Sequence, residues 1–375
     1  LAGPDQERAV KQTAINILLK YVIGFGLLGL VIWWNWEPTN GTPGLRVALA
    51  RPVQWGPLAL AGAICTLSLL LTIVRWYWLV QAQGLPFTLS SAIRLGLVGY
   101  YYNTFLPGAV GGDLIKAAGI ARAQSRRTVA VATVIMDRLI GLWALVWFVS
   151  LLGLGFWLTG QEVLLAKPNL QRIVLFAAGL LGVSVLGWLL MGLLAEPRAT
   201  AWATWLERWP KVGGPAAEFW RAVWLYRRRP GAVGLAVLLS LVSHTGFVLT
   251  FFFAAQTFQP TDALSQLPTL TEHFVLVPVG LTVQALIPLP GGVGGGEYGF
   301  GKLYVLLGYP EANGILGSLS QRIISWLLGL VGYLVYLRMG VRATTAVPPT
   351  STEPYQRPTE DQRLPAENTD RCLKA

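Results

Sequence analysis

Two stretches of the sequence combine helix-breaking residues with a carboxylate: FLPGAVGGDLIKAAG over residues 105–119 and PLPGGVGGGEYGFG over residues 288–301. Setting Pro107-Gly108 against Pro290-Gly291 aligns Val110-Gly111-Gly112 with Val293-Gly294-Gly295, and one extra residue in the second copy brings Asp113 opposite Glu297. Arg138 follows Asp113 by 25 residues and Arg322 follows Glu297 by 25, each near the start of an apolar run, MDRLIGLW or SQRIISWLLG. Guanidinium forks match phosphate geometry, and carboxylates pair with ammonium groups or accept from hydroxyls. Glycine lets other backbone or a ligand come close, and helix N-termini leave amide donors free for anions. Asp113, Arg138, Glu297 and Arg322 brought together would suit a zwitterionic or phosphate-bearing group. The bland alternative pairs Asp113 with Arg138 or Lys116, and Glu297 with Arg322, only to hold helices together.

Around these four residues lie further candidates for a polar site. Asn103 and Tyr102, with Tyr100 and Tyr101, immediately precede the first break; Tyr298 follows the second; Lys116 and Asp137 stand near the first acid and its arginine; Lys302 is expected to be interfacial, its side chain reaching toward the headgroups. Gln284 is expected to line the second region, and Arg75 and Arg94 are expected to snorkel toward the membrane surface. The backbone motif comprises Pro107, Gly108, Gly111 and Gly112 in one copy and Pro290, Gly291, Gly294, Gly295 and Gly296 in the other. Asp113, Asp137 and Glu297 are the candidates for coupling to protons. His244 and His273 are read as structural, and two histidines and two cysteines are too few for an ordinary zinc site, so neither metal nor cofactor is expected.

The elements that must position these residues are membrane helices. Only 13% of the chain is charged and 54% is hydrophobic, against about 25% charge in a soluble domain. Sixteen tryptophans suit a chain with two headgroup boundaries. The net charge of +11 would suit nucleic acid, but the basic residues lie mostly in loops beside apolar runs, as in membrane proteins, and no nucleic-acid partner is expected. Six stretches are long enough to cross a bilayer: about 17–36, 57–80, 129–158, 172–194, 232–256 and 314–338. The glycine-rich regions, roughly 86–122 and 272–308, do not make clean spans. A Pro-Gly break is tolerated at membrane depth only where protein or water surrounds it. Each region is therefore expected to be a re-entrant hairpin of two partial helices; the alternative is two ordinary spans joined by a surface loop. Ionisable residues at such depth are costly, which favours a functional reading of the acids and arginines.

The expected fold is an all-α polytopic membrane protein with inverted repeats, because three crossings separate the hairpins. Residues 1–342 form the membrane domain, with a first repeat at about 57–194, an interfacial linker at 195–230 and a second repeat at about 231–340. In the linker, Trp202, Trp205 and Trp209 share one helical face, as do Trp220 and Trp224, with basic residues elsewhere. Residues 343–375, rich in Pro, Thr and acids, are expected to be a disordered polar tail. The opening LAGPDQ reads as a processed start rather than a targeting peptide. Loop charge places both termini on the cytoplasmic side, with Arg46 and Arg51 in the first outer loop as the discordant residues.

The runs YNTFLPGAVGGDLIKAAGIARAQ, VIMDRLIGLW, PLPGGVGGGEYGFGKLYVLLG and SQRIISWLLG together resemble the lysylphosphatidylglycerol synthase transmembrane-region family, a flippase-like membrane domain, over most of residues 15–340. The resemblance implies a domain that moves aminoacylated phosphatidylglycerol between leaflets, in the bacterial cytoplasmic membrane. The family's two motifs fall on Asn103, Pro107, Gly108, Gly111, Gly112 and Asp113 with Arg138, and on Pro290, Gly291, Gly294, Gly296 and Glu297 with Arg322. The soluble synthase part of two-part members has no counterpart after residue 340, so a separate lipid-modifying synthase is an expected partner and the substrate class stays at phospholipid or glycolipid. A homodimer is a further expectation, from close packing of Gly-rich spans. Alternating-access lipid transport is the leading expectation. A membrane transferase acting on a lipid or polyprenyl-linked headgroup is the alternative, and a scaffold role leaves the paired charged breaks unexplained. The absence of a Lys-Ser/Thr pair after GAVGGD argues against a phosphate-binding loop of the nucleotide type.

Overall fold

The computed structural model describes residues 4–38, 44–106, 111–160, 168–193, 195–210, 212–258 and 267–345. Regular structure among them is helical, as expected of backbone that must satisfy its own hydrogen bonds in lipid. The chain divides into Leu1–Leu337 and Arg338–Ala375. The disordered tail expected over 343–375 lies outside the described residues from 346 onward. Residues 343–345 at the start of that stretch are helical, as the end of a helix that runs from Glu311 to Thr345.

Six helices carry stretches apolar and long enough to cross a membrane: α1 (Pro4–Trp34), α3 (Trp55–Ala82), α6 (Arg127–Leu158), α7 (Pro168–Leu193), α10 (Pro230–Ala255) and α13 (Glu311–Thr345). These are the six spans expected from hydropathy, and the chain is an integral membrane protein. A short α2 (Leu45–Leu49) follows α1, and between α7 and α10 stand α8 (Glu196–Glu207) and α9 (Gly213–Arg227). α3 and α10 pack closely along their length; a methyl group at Gly246 would sit 2.0 Å from the Ser68 hydroxyl.

Each glycine-rich region forms two short helices around a break: α4 (Leu89–Phe105) with α5 (Gly111–Ala123), and α11 (Leu270–Leu286) with α12 (Gly295–Leu306). The first halves stop for one reason. Leu106 and Ile287 are extended, and each precedes a proline, which disfavours helical geometry at the residue before it. At 17 and 13 residues, and 17 and 12, the halves reach roughly 18–26 Å at 1.5 Å per residue, short of a hydrocarbon core of about 30 Å. Within each region the two halves pack on one another. α11 opens on a capping box, with Thr269 N–H donating to Glu272 at 2.7 Å and Glu272 N–H donating to the Thr269 hydroxyl at 3.3 Å.

The first pair is closed by direct backbone contact. A methyl group at Gly112 would lie 1.9 Å from the Gly99 carbonyl oxygen, so α5 can sit this close to α4 only without a side chain there. Gly112→Ala is accordingly expected to lower stability by about 1–3 kcal/mol through overpacking, read as a drop in thermal midpoint in detergent. Gly182→Ala, where nothing lies within 4 Å, should leave the midpoint unchanged or slightly raised. Equal midpoints for both variants would contradict the packing described.

Candidate functional site

The two breaks meet. A methyl group at Gly291 would fall 2.8 Å from the Thr104 carbonyl oxygen in the last turn of α4, so the second break rests on the first broken helix. α13 lies along α4 as well, with Gly332 against the Leu97 carbonyl and Gly329 against Phe105. α1 reaches both breaks. The Tyr21 hydroxyl donates to the Phe105 carbonyl, and a methyl at Gly294 would meet the Gly24 carbonyl at 2.7 Å.

The expected 25-residue spacing yields an ion pair in each copy, with opposite degrees of closure. Glu297 is fully buried in the first turn of α12; one oxygen accepts from Gly294 N–H at 2.7 Å and the other from Arg322 Nε. Arg322 also donates to the carbonyls of Gly291 at 2.9 Å and Gly292 at 3.3 Å. Gly291, Gly292 and Gly294 have φ of 54°, 67° and 80°, a region that disfavours side chains. The glycines thus let the loop curl its carbonyls onto one guanidinium, while the carboxylate caps the helix that follows. This is the structural pairing that the sequence left as an alternative, here consuming both oxygens of Glu297.

In the first copy Asp113 stands in the first turn of α5 and contacts Arg138 through a single 3.3 Å approach, with side chains 17% and 38% exposed. Asn103 bridges this break, its side-chain oxygen accepting from Gly112 N–H at 2.7 Å. Behind it lies a buried cluster. Asp137 accepts from Arg75 Nε at 2.8 Å and from Lys116 Nζ at 3.1 Å, and Arg75 donates to the Ser240 hydroxyl at 2.8 Å. Lys116 Nζ also sits 4.5 Å over the Trp76 ring. The first copy therefore holds three cations, Arg75, Lys116 and Arg138, against two carboxylates, Asp113 and Asp137.

Three adjoining cavities occupy the junction. One of about 280 Å³ is lined by Asp113, Asp137, Arg138, Lys116, Arg75 and His244, among others. A second of about 270 Å³ lies by Arg322, Gln321, Gln284 and Tyr100. A third of about 200 Å³ lies between Arg138 and Gly291–Gly292. Asn103 lines all three, and Gln284 lines the last two while donating to the Gly291 carbonyl at 3.0 Å. Polar lining thus runs from the first charged cluster to the second.

Several expected residues sit elsewhere. Tyr298 is 45% exposed, with Lys302 5.4 Å over its ring and bonded to Glu311, and it does not line these cavities. One turn before its break, Tyr102 packs edge-on against Tyr101 and Tyr336 instead of facing the cavities. Pro107 and Gly108 lie outside the described residues. Gly111, Gly295 and Gly296 fit against neighbouring side chains; a methyl group at Gly296 would lie 3.1 Å from the Arg322 guanidinium. Arg75 does not snorkel: it is 7% exposed and held by Asp137. A signal for this was present, since Arg75 and Asp137 are charges within apolar runs and each requires a partner. His244 bonds the Gly141 carbonyl at 3.1 Å, and His273 bridges the Thr269 carbonyl and the Tyr304 hydroxyl. Among the described residues no group of three or more His, Cys, Asp or Glu side chains is placed to hold a metal.

A family model described as the lysylphosphatidylglycerol synthase TM region matches residues 17–332, which takes in both broken pairs and both acid–arginine pairs. No curated protein and no solved structure matches the chain.

Proposed function

The chain belongs to the lysylphosphatidylglycerol synthase transmembrane-region family, whose members concern the modification or flipping of lipid headgroups, and from that premise we propose that it moves a polar-headgroup phospholipid between leaflets. The observation that carries the reading is Arg138. It is the most exposed member of the charged cluster, it borders two of the three cavities, and one 3.3 Å contact ties it to Asp113. Counting Arg138, three cations stand against two carboxylates, so the cavity favours an anionic group such as a lipid phosphate. Asp113 is released when that group pairs with Arg138, which makes it the first candidate for coupling to a proton. Asp137 and Glu297 are committed to internal partners and act by position.

In this reading the broken pairs are re-entrant and inverted. The shortness of the four half-helices and the three candidate spans between the pairs, α6, α7 and α10, support it. Acyl chains stay in hydrocarbon while the headgroup passes along the polar lining, which lowers the desolvation cost of crossing. The protein reconstituted in liposomes is expected to accelerate the exchange of a fluorescent anionic or aminoacylated phospholipid, measured by the fraction reachable by a membrane-impermeant quencher. Exchange no faster than in empty liposomes, for either lipid, would remove the proposal.

A further inference from the structure

We infer that the α8–α9 hairpin is a docking surface for anionic phospholipid headgroups, and that it ties the lipid surface to the buried charged cluster. Its position follows from connectivity: α7 ends its apolar stretch at Leu193 and α10 begins at Pro230, so both ends of the hairpin are fixed at one membrane boundary. The two helices are joined through Trp220, whose indole donates to the Ala199 carbonyl at 2.8 Å and whose ring lies 5.3 Å from Trp202. On the outer side, Trp202, Trp205 and Trp209 are 53%, 52% and 45% exposed. Three indoles half out of the protein in a row suit the boundary between headgroups and chains, where an apolar ring and a polar N–H are both satisfied.

Charge selects the partner. Residues 196–229 carry seven basic residues against three acidic ones. Two of those acids are used inside the hairpin, Glu196 with Arg228 at 2.6 Å and Glu207 with Arg221 at 2.5 Å. Arg198 in α8, Arg208 at its C-cap and Arg229 at the N-cap of α10 are exposed. A surface of indoles and uncompensated guanidinium groups matches a leaflet containing acidic phospholipid, not a purely zwitterionic one. The inner side of α9 is anchored: Tyr226 is fully buried and its hydroxyl donates to the Leu79 carbonyl at 2.8 Å, one helical turn from Arg75. Lipid engagement at the surface thereby bears on the helix that presents Arg75 to Asp137.

The test uses the full chain in nanodiscs, with a spin label at position 205 through Trp205→Cys; Cys65 is buried and Cys372→Ser removes the remaining thiol. Power-saturation measurements compare access by oxygen and by a water-soluble nickel chelate. With phosphatidylglycerol present, the label should be oxygen-accessible and shielded from nickel. Arg198→Gln with Arg208→Gln should raise nickel access several-fold in those discs while leaving it unchanged in phosphatidylcholine discs, because each cation near an anionic surface contributes roughly fivefold to partitioning. The hairpin's own ion pairs are untouched by these changes, and raised salt applied to the unsubstituted arginines should mimic them. Nickel access independent of lipid charge, arginine content and salt would overturn the inference. So would shielding that requires a soluble protein or nucleic acid and is absent in phosphatidylglycerol discs.

Discussion

Arg322→Ala is expected to cost about 3–5 kcal/mol, the range for removing one partner of a buried ion pair, and so to consume much of a stability of about 5–15 kcal/mol. The substitution removes three donors at once, those to Glu297, Gly291 and Gly292, and leaves Glu297 fully buried with Gly294 N–H as its remaining partner among these contacts. The left-handed glycines then have no guanidinium around which to curl. Arg322→Lys should rescue little, because a single ammonium cannot span a carboxylate and two carbonyls. Glu297→Gln combined with Arg322→Ala should be less destabilised than the sum of the single changes, since no uncompensated carboxylate remains. Unfolding midpoints in detergent compare wild type, Arg322→Ala, Arg322→Lys, Glu297→Gln and the double variant. Additive losses in the double variant, or an Arg322→Ala midpoint equal to wild type, would contradict the lock.

Arg138→Ala is expected to behave in the opposite way, leaving stability within about 1 kcal/mol, as for other partly exposed pairs, while slowing leaflet exchange. A charge-assisted hydrogen bond to a phosphate is worth roughly 1.5–3 kcal/mol, which corresponds to a loss on the order of 10- to 100-fold. The difference between the two arginines lies in closure: Arg322 has 5% side-chain exposure and several protein acceptors, whereas Arg138 has 38% and one carboxylate at 3.3 Å. Arg138→Lys should recover part of the rate, because charge is kept and the bidentate fork is lost. Unchanged exchange in Arg138→Ala would place the headgroup elsewhere. A large loss of stability in the same variant would make Arg138 a second lock.

Much of this arrangement was legible in the sequence because it rests on local chemistry. The spans follow from hydropathy, and the ends of α4 and α11 follow from Pro107 and Pro288, so both breaks could be placed to within a few residues. The acid–arginine pairing was legible as a shared 25-residue spacing, but its two outcomes were not. Closure of the Glu297 pair depends on three left-handed glycines, two turning carbonyls onto Arg322 and the third its N–H onto Glu297, whereas the Asp113 pair is bounded by a cavity. The partnership of Arg75 with Asp137 spans 62 residues and draws in Ser240 from a third helix, so the apolar runs marked each charge as needing a partner without marking which. Tyr298, unlike Lys302, was expected at the site, and it lies off the cavities because proximity to a motif in sequence says nothing of azimuth on the helix. Both point away from the cavities, toward each other and Glu311.

The most direct test of the central claim is photo-crosslinking with a phospholipid whose headgroup carries a diazirine, applied to the reconstituted protein and mapped by mass spectrometry. If a headgroup occupies the junction of the two breaks, adducts fall on peptides from both 89–123 and 270–306 and diminish in Arg138→Ala. Adducts confined to the lipid-exposed surface of α7, at equal yield in wild type and Arg138→Ala, would contradict it.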